Sequence, residues 1–300
     1  MIIAITGSTG LVGSALRAAL EGDGHLVRPV VRRAPRAGAD EIQWDPDRGT
    51  IDAAEFASVD AVVHLAGESI VGQRWTPAFK QKILDSRVRG TKLLCDTLAK
   101  LDTKPADLVS ASAIGFYGSR GDEVLDESAT SGRGFLSEVC QQWEAATKSA
   151  RDADIRVVNL RIGFVLSKDG GGLAKMLTPF RLGLGGVVGS GKQYMSWITL
   201  DDLVRAIQFV LSAAGLSGPV NATAPNPVTN REFIKTLGKV LNRPTIFPMP
   251  AFAARLAFGE MADDMLVGGN RVVPRALENA CFEFLYPELE GALRHVLAQP

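Results

Sequence analysis

Apolar side chains follow two rhythms along this chain. Short unbroken runs at Ile2–Ile5, His25–Val31, Asp60–Gly67, Asp107–Ser112 and Ile155–Leu160 read as buried parallel strands, with Glu41–Trp44 a shorter one. Between them apolar residues recur at helical spacing: Leu11, Ala15, Leu16, Ala19 and Leu20 form one stripe. Phe79, Ile83, Leu94 and Leu98 form a second, behind a Thr76 N-cap and Pro77 and with room for a break, and Phe135–Ala150 is a third. Strands alternating with helices predict an α/β protein built on a doubly wound parallel sheet.

Beyond Gly163 the texture changes. Gly170–Gly172, Gly183–Gly186 and Gly189–Gly191 crowd a short span, and most prolines lie after residue 178. Thr199 with Asp201 and Asp202 predicts a capped helix to about Ser212, Pro219–Thr223 a strand, and Thr229 with Glu232 a capping box for a helix ending near Leu241. Pro244–Pro250 reads as a linker and the tail from Ala251 as mostly helical. The organisation expected is a nucleotide-binding domain over residues 1–165, completed by part of 194–223, and a smaller substrate lobe with a helical tail over 166–300.

Composition narrows the function. With 33 basic and 33 acidic side chains the formal net charge is zero, which argues against nucleic acid or a membrane surface as an electrostatic partner. No apolar run approaches the roughly 20 residues of a membrane span, and the first strand begins at residue 2, leaving no room for a signal peptide. Cys95, Cys140 and Cys281 read as buried free thiols, and His25, His64 and His295 are too scattered for a metal site. These features predict a cytoplasmic protein without a metal.

The chemistry starts at residue 7. Gly7-Ser8-Thr9-Gly10-Leu11-Val12-Gly13 joins the first strand to the first helix, the geometry that aims backbone N–H groups and a helix N-terminus at a pyrophosphate. Gly7 suits the tight turn, Gly10 the approach of the phosphates, and Gly13 close packing of helix on strand. The sheet is therefore of Rossmann type. At the end of the second strand, where an NAD-preferring fold places an acid, stand Arg32 and Arg33, which match a 2′-phosphate. NADP(H) is the cofactor expected, the alternative being a solvated arginine pair. Leu65-Ala66-Gly67 would lie along the adenosine and ribose. Gly186–Lys192 imitates a triphosphate loop, but Gln193 replaces the magnesium-binding hydroxyl and a strand-like run follows.

These motifs, with Ser110-Ala-Ser112 leading to Tyr117-Gly118, resemble the extended short-chain dehydrogenase/reductases. Ser86-Arg87-Val-Arg-Gly-Thr91, Trp143-Glu144, Arg161–Leu166, Pro179–Gly186, Trp197-Ile198 and Asn221–Asn230 resemble more closely an atypical "epimerase family protein" branch described as nucleoside-diphosphate-sugar epimerases. Where that branch usually has a His after Trp-Ile, this chain has Thr199. The resemblance implies a small-molecule substrate, is compatible with a homodimer, and places Glu68, Arg87, Ile162 and Gly163 at the cofactor; a surface salt bridge is the other reading of Arg87. The wider superfamily carries Tyr-x-x-x-Lys for acid/base work, and those positions fall on Leu136 and Cys140.

Three readings follow. In one, an epimerase or oxidoreductase uses substitutes: Tyr117 as phenol and Ser112 as hydrogen-bonding hydroxyl, with help from Glu68 or Lys192. Tyr117 as a stacking residue and Ser112 as a backbone cap are the plain alternatives. In the second, the protein binds NADP(H) without turnover, as a sensor, regulator or assembly factor. In the third, the fold hosts unrelated chemistry.

Overall fold

A computed structural model describes residues 1–298. The strands are β1 (Ile2–Thr6), β2 (Leu26–Val31), β3 (Ile42–Asp45), β4 (Thr50–Ile51), β5 (Ala61–His64), β6 (Asp107–Ala113), β7 (Val124–Leu125), β8 (Arg156–Ile162), β9 (Phe164–Leu166), β10 (Tyr194–Met195), β11 (Trp197–Thr199), β12 (Gly218–Ala222), β13 (Val228–Thr229) and β14 (Arg271–Val272). The helices are α1 (Leu11–Gly22), α2 (Pro77–Leu98), α3 (Phe135–Ala145), α4 (Lys148–Asp152), α5 (Gly171–Arg181), α6 (Leu200–Ser212), α7 (Asn230–Leu241), α8 (Ala251–Phe258), α9 (Arg275–Asn279) and α10 (Leu289–Ala298). Eight strands form one sheet in the order β12-β8-β6-β5-β1-β2-β3-β4, parallel except for the β3–β4 edge.

Alternation along β1 splits the core between the two faces. Ile3 and Ile5 pack with Leu16, Leu20, Val109, Ile207 and Val210, whereas Ala4 packs with Val62, Leu94, Leu98 and Val157. Burying each large aliphatic side chain contributes about 1.5–3 kcal/mol, which fixes the register of the strands whose C-terminal ends carry the site.

Three sequence expectations need correcting. First, α2 runs without a break from Pro77 to Leu98, its buried face of Phe79, Ile83, Leu94 and Leu98 held against the protein along its length, with Gly90 beside the Trp44 ring of β3. Second, the predicted Phe135–Ala150 helix is two helices: Thr147 Oγ1 donates to the Glu144 carbonyl at 2.7 Å, and the chain turns there. Third, Cys281 is exposed at φ 61° after α9, unlike the buried Cys95 and Cys140. Burial pushes the Cys95 thiol up to about 12 and that of Cys140 up to about 11, so both stay protonated. α5 was hidden in the sequence because Gly170 to Gly172 occupy its cap and first turn.

The second half is laced onto the first. Its tail adds β14 beside β7, in parallel. Asp202, 1% exposed, accepts the Leu285 and Tyr286 N–H groups at 2.8 and 3.0 Å. Ser196 Oγ donates to the Asn270 carbonyl at 2.9 Å and accepts the Val272 N–H at 2.8 Å. Among the described residues no helix is long and apolar enough to cross a membrane.

Candidate dinucleotide site

The turn from β1 into α1 is built around missing side chains. Gly7 has φ 68°, and a Cβ there would lie 2.9 Å from the Leu65 carbonyl carbon. Gly13 is tighter, since its Cβ would stand 2.2 Å from the Gly7 carbonyl oxygen. Gly10 is the N-cap of α1 and brings no side chain to it, so the first N–H groups of the helix face outward at its positive end. Ser8 is buried and Thr9 exposed; Leu11 packs against Gly170 and Gly171 at the start of α5, while Val12 packs on the sheet core.

Behind this turn runs a buried polar chain. Thr6 Oγ1 accepts the Leu65 and Ala66 N–H groups at 3.1 and 3.2 Å and lies 2.7 Å from His64 Nδ1. With its lone pairs so used, the hydroxyl donates to Nδ1. His64 therefore carries its proton on Nε2, which donates to Thr91 Oγ1 at 2.9 Å; that oxygen also accepts Trp143 Nε1–H at 2.9 Å. Burial pulls His64 down to about 4. Between its ordinary value near 6.5 and about 4, the unfolded chain takes up a proton that the folded chain refuses, so stability falls as pH falls through this window. The loss expected is about 3 kcal/mol. Urea unfolding of wild type and His64→Gln should show their stability gap narrowing by that amount from pH 7 to 4; a constant gap would exclude His64 as the cause.

The predicted cofactor residues divide in the structure. Leu65, Ala66 and Gly67 follow β5 directly, and a Cβ at Gly67 would meet the Arg87 guanidinium carbon at 3.4 Å. Arg87 donates to the Glu68 carbonyl at 3.0 Å and lies 5.0 Å from the Trp143 ring centroid, and burial lowers its pKa. It is therefore an inward-facing cation and not a surface salt bridge. The Glu68 carboxylate pairs with Lys82 at 3.0 Å. Ile162 ends β8, and Gly163 passes so close to β11 that a Cβ would stand 2.7 Å from the Ser196 carbonyl. Arg32 is exposed and makes no hydrogen bond or ion pair among the described residues. Arg33 instead grips Glu41 with both terminal nitrogens, at 2.7 and 2.5 Å.

The structure does bring Ser112 and Tyr117 together, within one buried network. Ser112 Oγ donates to Glu144 Oε1 at 2.7 Å, and Arg161 holds the same carboxylate bidentately at 2.8 and 2.9 Å. Arg161 also donates to the Tyr117 hydroxyl at 2.9 Å, and Tyr117 donates to Asn221 Oδ1 at 2.8 Å. Tyr117 is 0% exposed and burial raises its pKa, the reverse of what an acid/base phenol working near neutrality needs. Lys192 stands on the Ser190–Lys192 turn that leads into β10 and not a helix.

Leu136 and Cys140 turn toward the end of β6: a Cβ at Gly115 would meet Leu136 Cβ at 3.2 Å and Cys140 Sγ at 3.7 Å. No sequence pattern marks Asp264, which reaches from the tail half to the start of α3, its Oδ1 3.7 Å from where a Cβ at Gly134 would stand. Its Oδ2 is buried without a hydrogen-bond partner among the described residues, and burial raises its pKa. It lies in a π-helical turn, Asp263–Val267, a rare geometry that recurs at functional sites and was the signal available only from structure.

A parallel sheet with a glycine-only turn at β1–α1 and a basic end to β2 defines a Rossmann-type dinucleotide-binding protein. The chain belongs to the NAD dependent epimerase/dehydratase family, whose model matches residues 3–222, and a domain of unknown function, DUF1731, matches residues 249–296. An epimerase family protein of Mycobacterium tuberculosis is 48% identical over 299 residues, covering 100% of this chain and 98% of the relative. The crystal structure of the human epimerase family protein SDR39U1 (isoform 2) with NADPH superposes with a TM-score of 0.89 at 33% identity and covers 99% of both chains. A nucleoside-diphosphate sugar epimerase from Corynebacterium glutamicum superposes with a TM-score of 0.82 at 38% identity, covering 99% of this chain and 58% of that longer one.

Proposed function

We propose that this chain is an NADP(H)-binding epimerase or oxidoreductase acting on a small-molecule substrate without the Tyr-x-x-x-Lys pair. The observation that carries the reading is the β1–α1 turn, where a Cβ at Gly13 would collide with the Gly7 carbonyl, in company with the exposed Arg32 at the end of β2. The human neighbour crystallised with NADPH supports the same cofactor.

The α1 N-terminus and the Gly7–Gly13 backbone would hold the pyrophosphate, Leu65 to Gly67 the adenosine side, and Arg87, Ile162 and Gly163 the nicotinamide side. When bound, the nicotinamide supplies reversible hydride exchange with a substrate carbon. The matching proton needs a titratable group. The Ser112 hydroxyl donates to Glu144 and Tyr117 is sealed between Arg161 and Asn221, so we assign proton exchange to Asp264, whose Oδ1 lies beside Gly134 at the N-terminus of α3. The apolar pair Leu136 and Cys140 favours a second reading, a non-catalytic NADP(H) sensor or assembly protein.

Titration by nicotinamide fluorescence, followed by a panel of nucleotide sugars and small carbonyl compounds, tests both. Binding of NADPH about ten-fold or more tighter than NADH is expected from the extra phosphate contact. Loss of the reduced signal with any panel compound supports the enzyme, and tight binding without turnover supports the sensor. If neither cofactor binds, the reading fails.

A further inference from the structure

We infer that Glu41 tunes the cofactor preference of this chain by holding Arg33 away from the 2′-phosphate, leaving Arg32 as the phosphate-facing cation. The inference rests on the NADP(H) reading above.

The loop between β2 and β3 carries three arginines, Arg32, Arg33 and Arg36, and two acids, Asp40 and Glu41. Glu41 is the inner partner of its pair, with a side chain 9% exposed against 44% for Arg33. Its carboxylate takes both terminal nitrogens of Arg33, at 2.7 and 2.5 Å, and also accepts the Arg36 N–H at 3.0 Å. A third bond runs from Arg33 to the Ala34 carbonyl at 2.9 Å. The Arg33 fork, with the Arg36 N–H, holds the Glu41 carboxyl down at about 2, so the carboxylate stays ionised at every working pH. Asp40 is likewise occupied, by Arg28 at 2.5 Å, and Arg28 also grips Glu55. The acids at the far end of the loop thus pin it in place.

The end-on pair of Arg33 donors is closed on Glu41 and a further N–H is spent on Ala34, so only the Nε edge stays open, and the Glu41 carboxylate beside it cancels the cation's charge. The Glu41 charge also opposes the dianion. Arg32, one residue earlier at the strand end, keeps its whole fork open. Residue spacing alone assigns both arginines to the phosphate; the geometry separates them.

The test measures Kd for NADPH and NADH at one fixed ionic strength, with thermal melts confirming that each variant is folded. Glu41→Gln keeps the shape and one acceptor but removes the charge. It should tighten NADPH about three- to ten-fold and leave NADH within about two-fold, the scale of one charge-assisted contact at a half-exposed site. Glu41→Ala should act in the same direction. Arg32→Met should weaken NADPH about ten-fold or more, and Arg33→Met by less. Glu41→Gln combined with Arg33→Met should lose the gain. Unchanged or weaker NADPH binding in both Glu41 variants would overturn the inference, as would an Arg33→Met loss equal to that of Arg32→Met. Wild-type protein that binds neither cofactor would instead overturn the NADP(H) reading beneath it.

Discussion

Gly13→Ala is expected to remove NADPH binding and to destabilise the fold by about 2–4 kcal/mol. The added methyl carbon would stand 2.2 Å from the Gly7 carbonyl oxygen, 2.8 Å from the Gly7 carbonyl carbon and 2.8 Å from Ser8 Cα. All three are backbone atoms, so no side chain can swing aside; α1 must move off β1 or the turn must open. Either movement redirects the N–H groups that would face the pyrophosphate. Gly10→Ala should be milder, because its Cβ meets only the Gly7 oxygen, at 3.3 Å. Gly22→Ala, at the far end of α1 with nothing within 4 Å, should leave binding unchanged. Fluorescence titration and urea unfolding of the three variants check the order. Equal binding by Gly13→Ala and wild type would rule out the turn as the pyrophosphate site.

Arg161→Met carries the second large effect, a loss of about 3–5 kcal/mol of stability. Its guanidinium is 4% exposed and its partner Glu144 12%, and the pair is joined by two bonds of 2.8 and 2.9 Å. The guanidinium carbon also lies 3.5 Å from the Phe116 ring centroid. Removing the cation leaves a buried carboxylate with only the Ser112 hydroxyl, and leaves the Tyr117 oxygen without a donor. Replacing both partners, as Arg161→Met with Glu144→Leu, should restore most of the loss, because an apolar pair strands no charge. A single variant within about 1 kcal/mol of wild type would show that the network does not stabilise the fold. Denaturant unfolding of the single and double variants decides it.

What the sequence discloses follows the range of the interaction responsible. The β1–α1 turn is legible because the positive φ of Gly7 and the collision that a Cβ at Gly13 would make with Gly7 and Ser8 both arise within seven residues, although the space at Gly7 is also closed by Leu65. The caps at Thr76, Thr199 and Thr229 are legible for the same reason, each hydroxyl meeting an N–H three residues on. The Arg33–Glu41 grip is not, since an eight-residue loop must fold back before a spare guanidinium becomes an occupied one. The Ser112–Glu144–Arg161–Tyr117–Asn221 chain spans separations from 17 to 104 residues, and no periodicity announces it. Tyr117 looks available in the sequence because it follows a strand end in a glycine-bearing loop; only the closure of β12 and β8 around it shows where its hydroxyl goes. Asp264 was missed because a carboxylate in a tail helix carries no local mark of what it faces.

The bonds from Ser196 and Asp202 into the tail bear on how this kind of protein can be cut and rejoined. Asn221 Nδ2 donates to the Val273 carbonyl at 2.9 Å, and Glu127 accepts both the Asn221 and Ala276 N–H groups, at 2.9 and 3.2 Å. The residues matched to the domain of unknown function therefore complete hydrogen bonds owed by the nucleotide-binding half, and are not a module hung from its end. A family boundary drawn near residue 249 marks a change of sequence pattern, while the physical seam runs elsewhere. Swapping tails between relatives would require Ser196, Asp202, Asn221 and Glu127 to travel with them. In lineage terms, the two matched segments are expected to be inherited together.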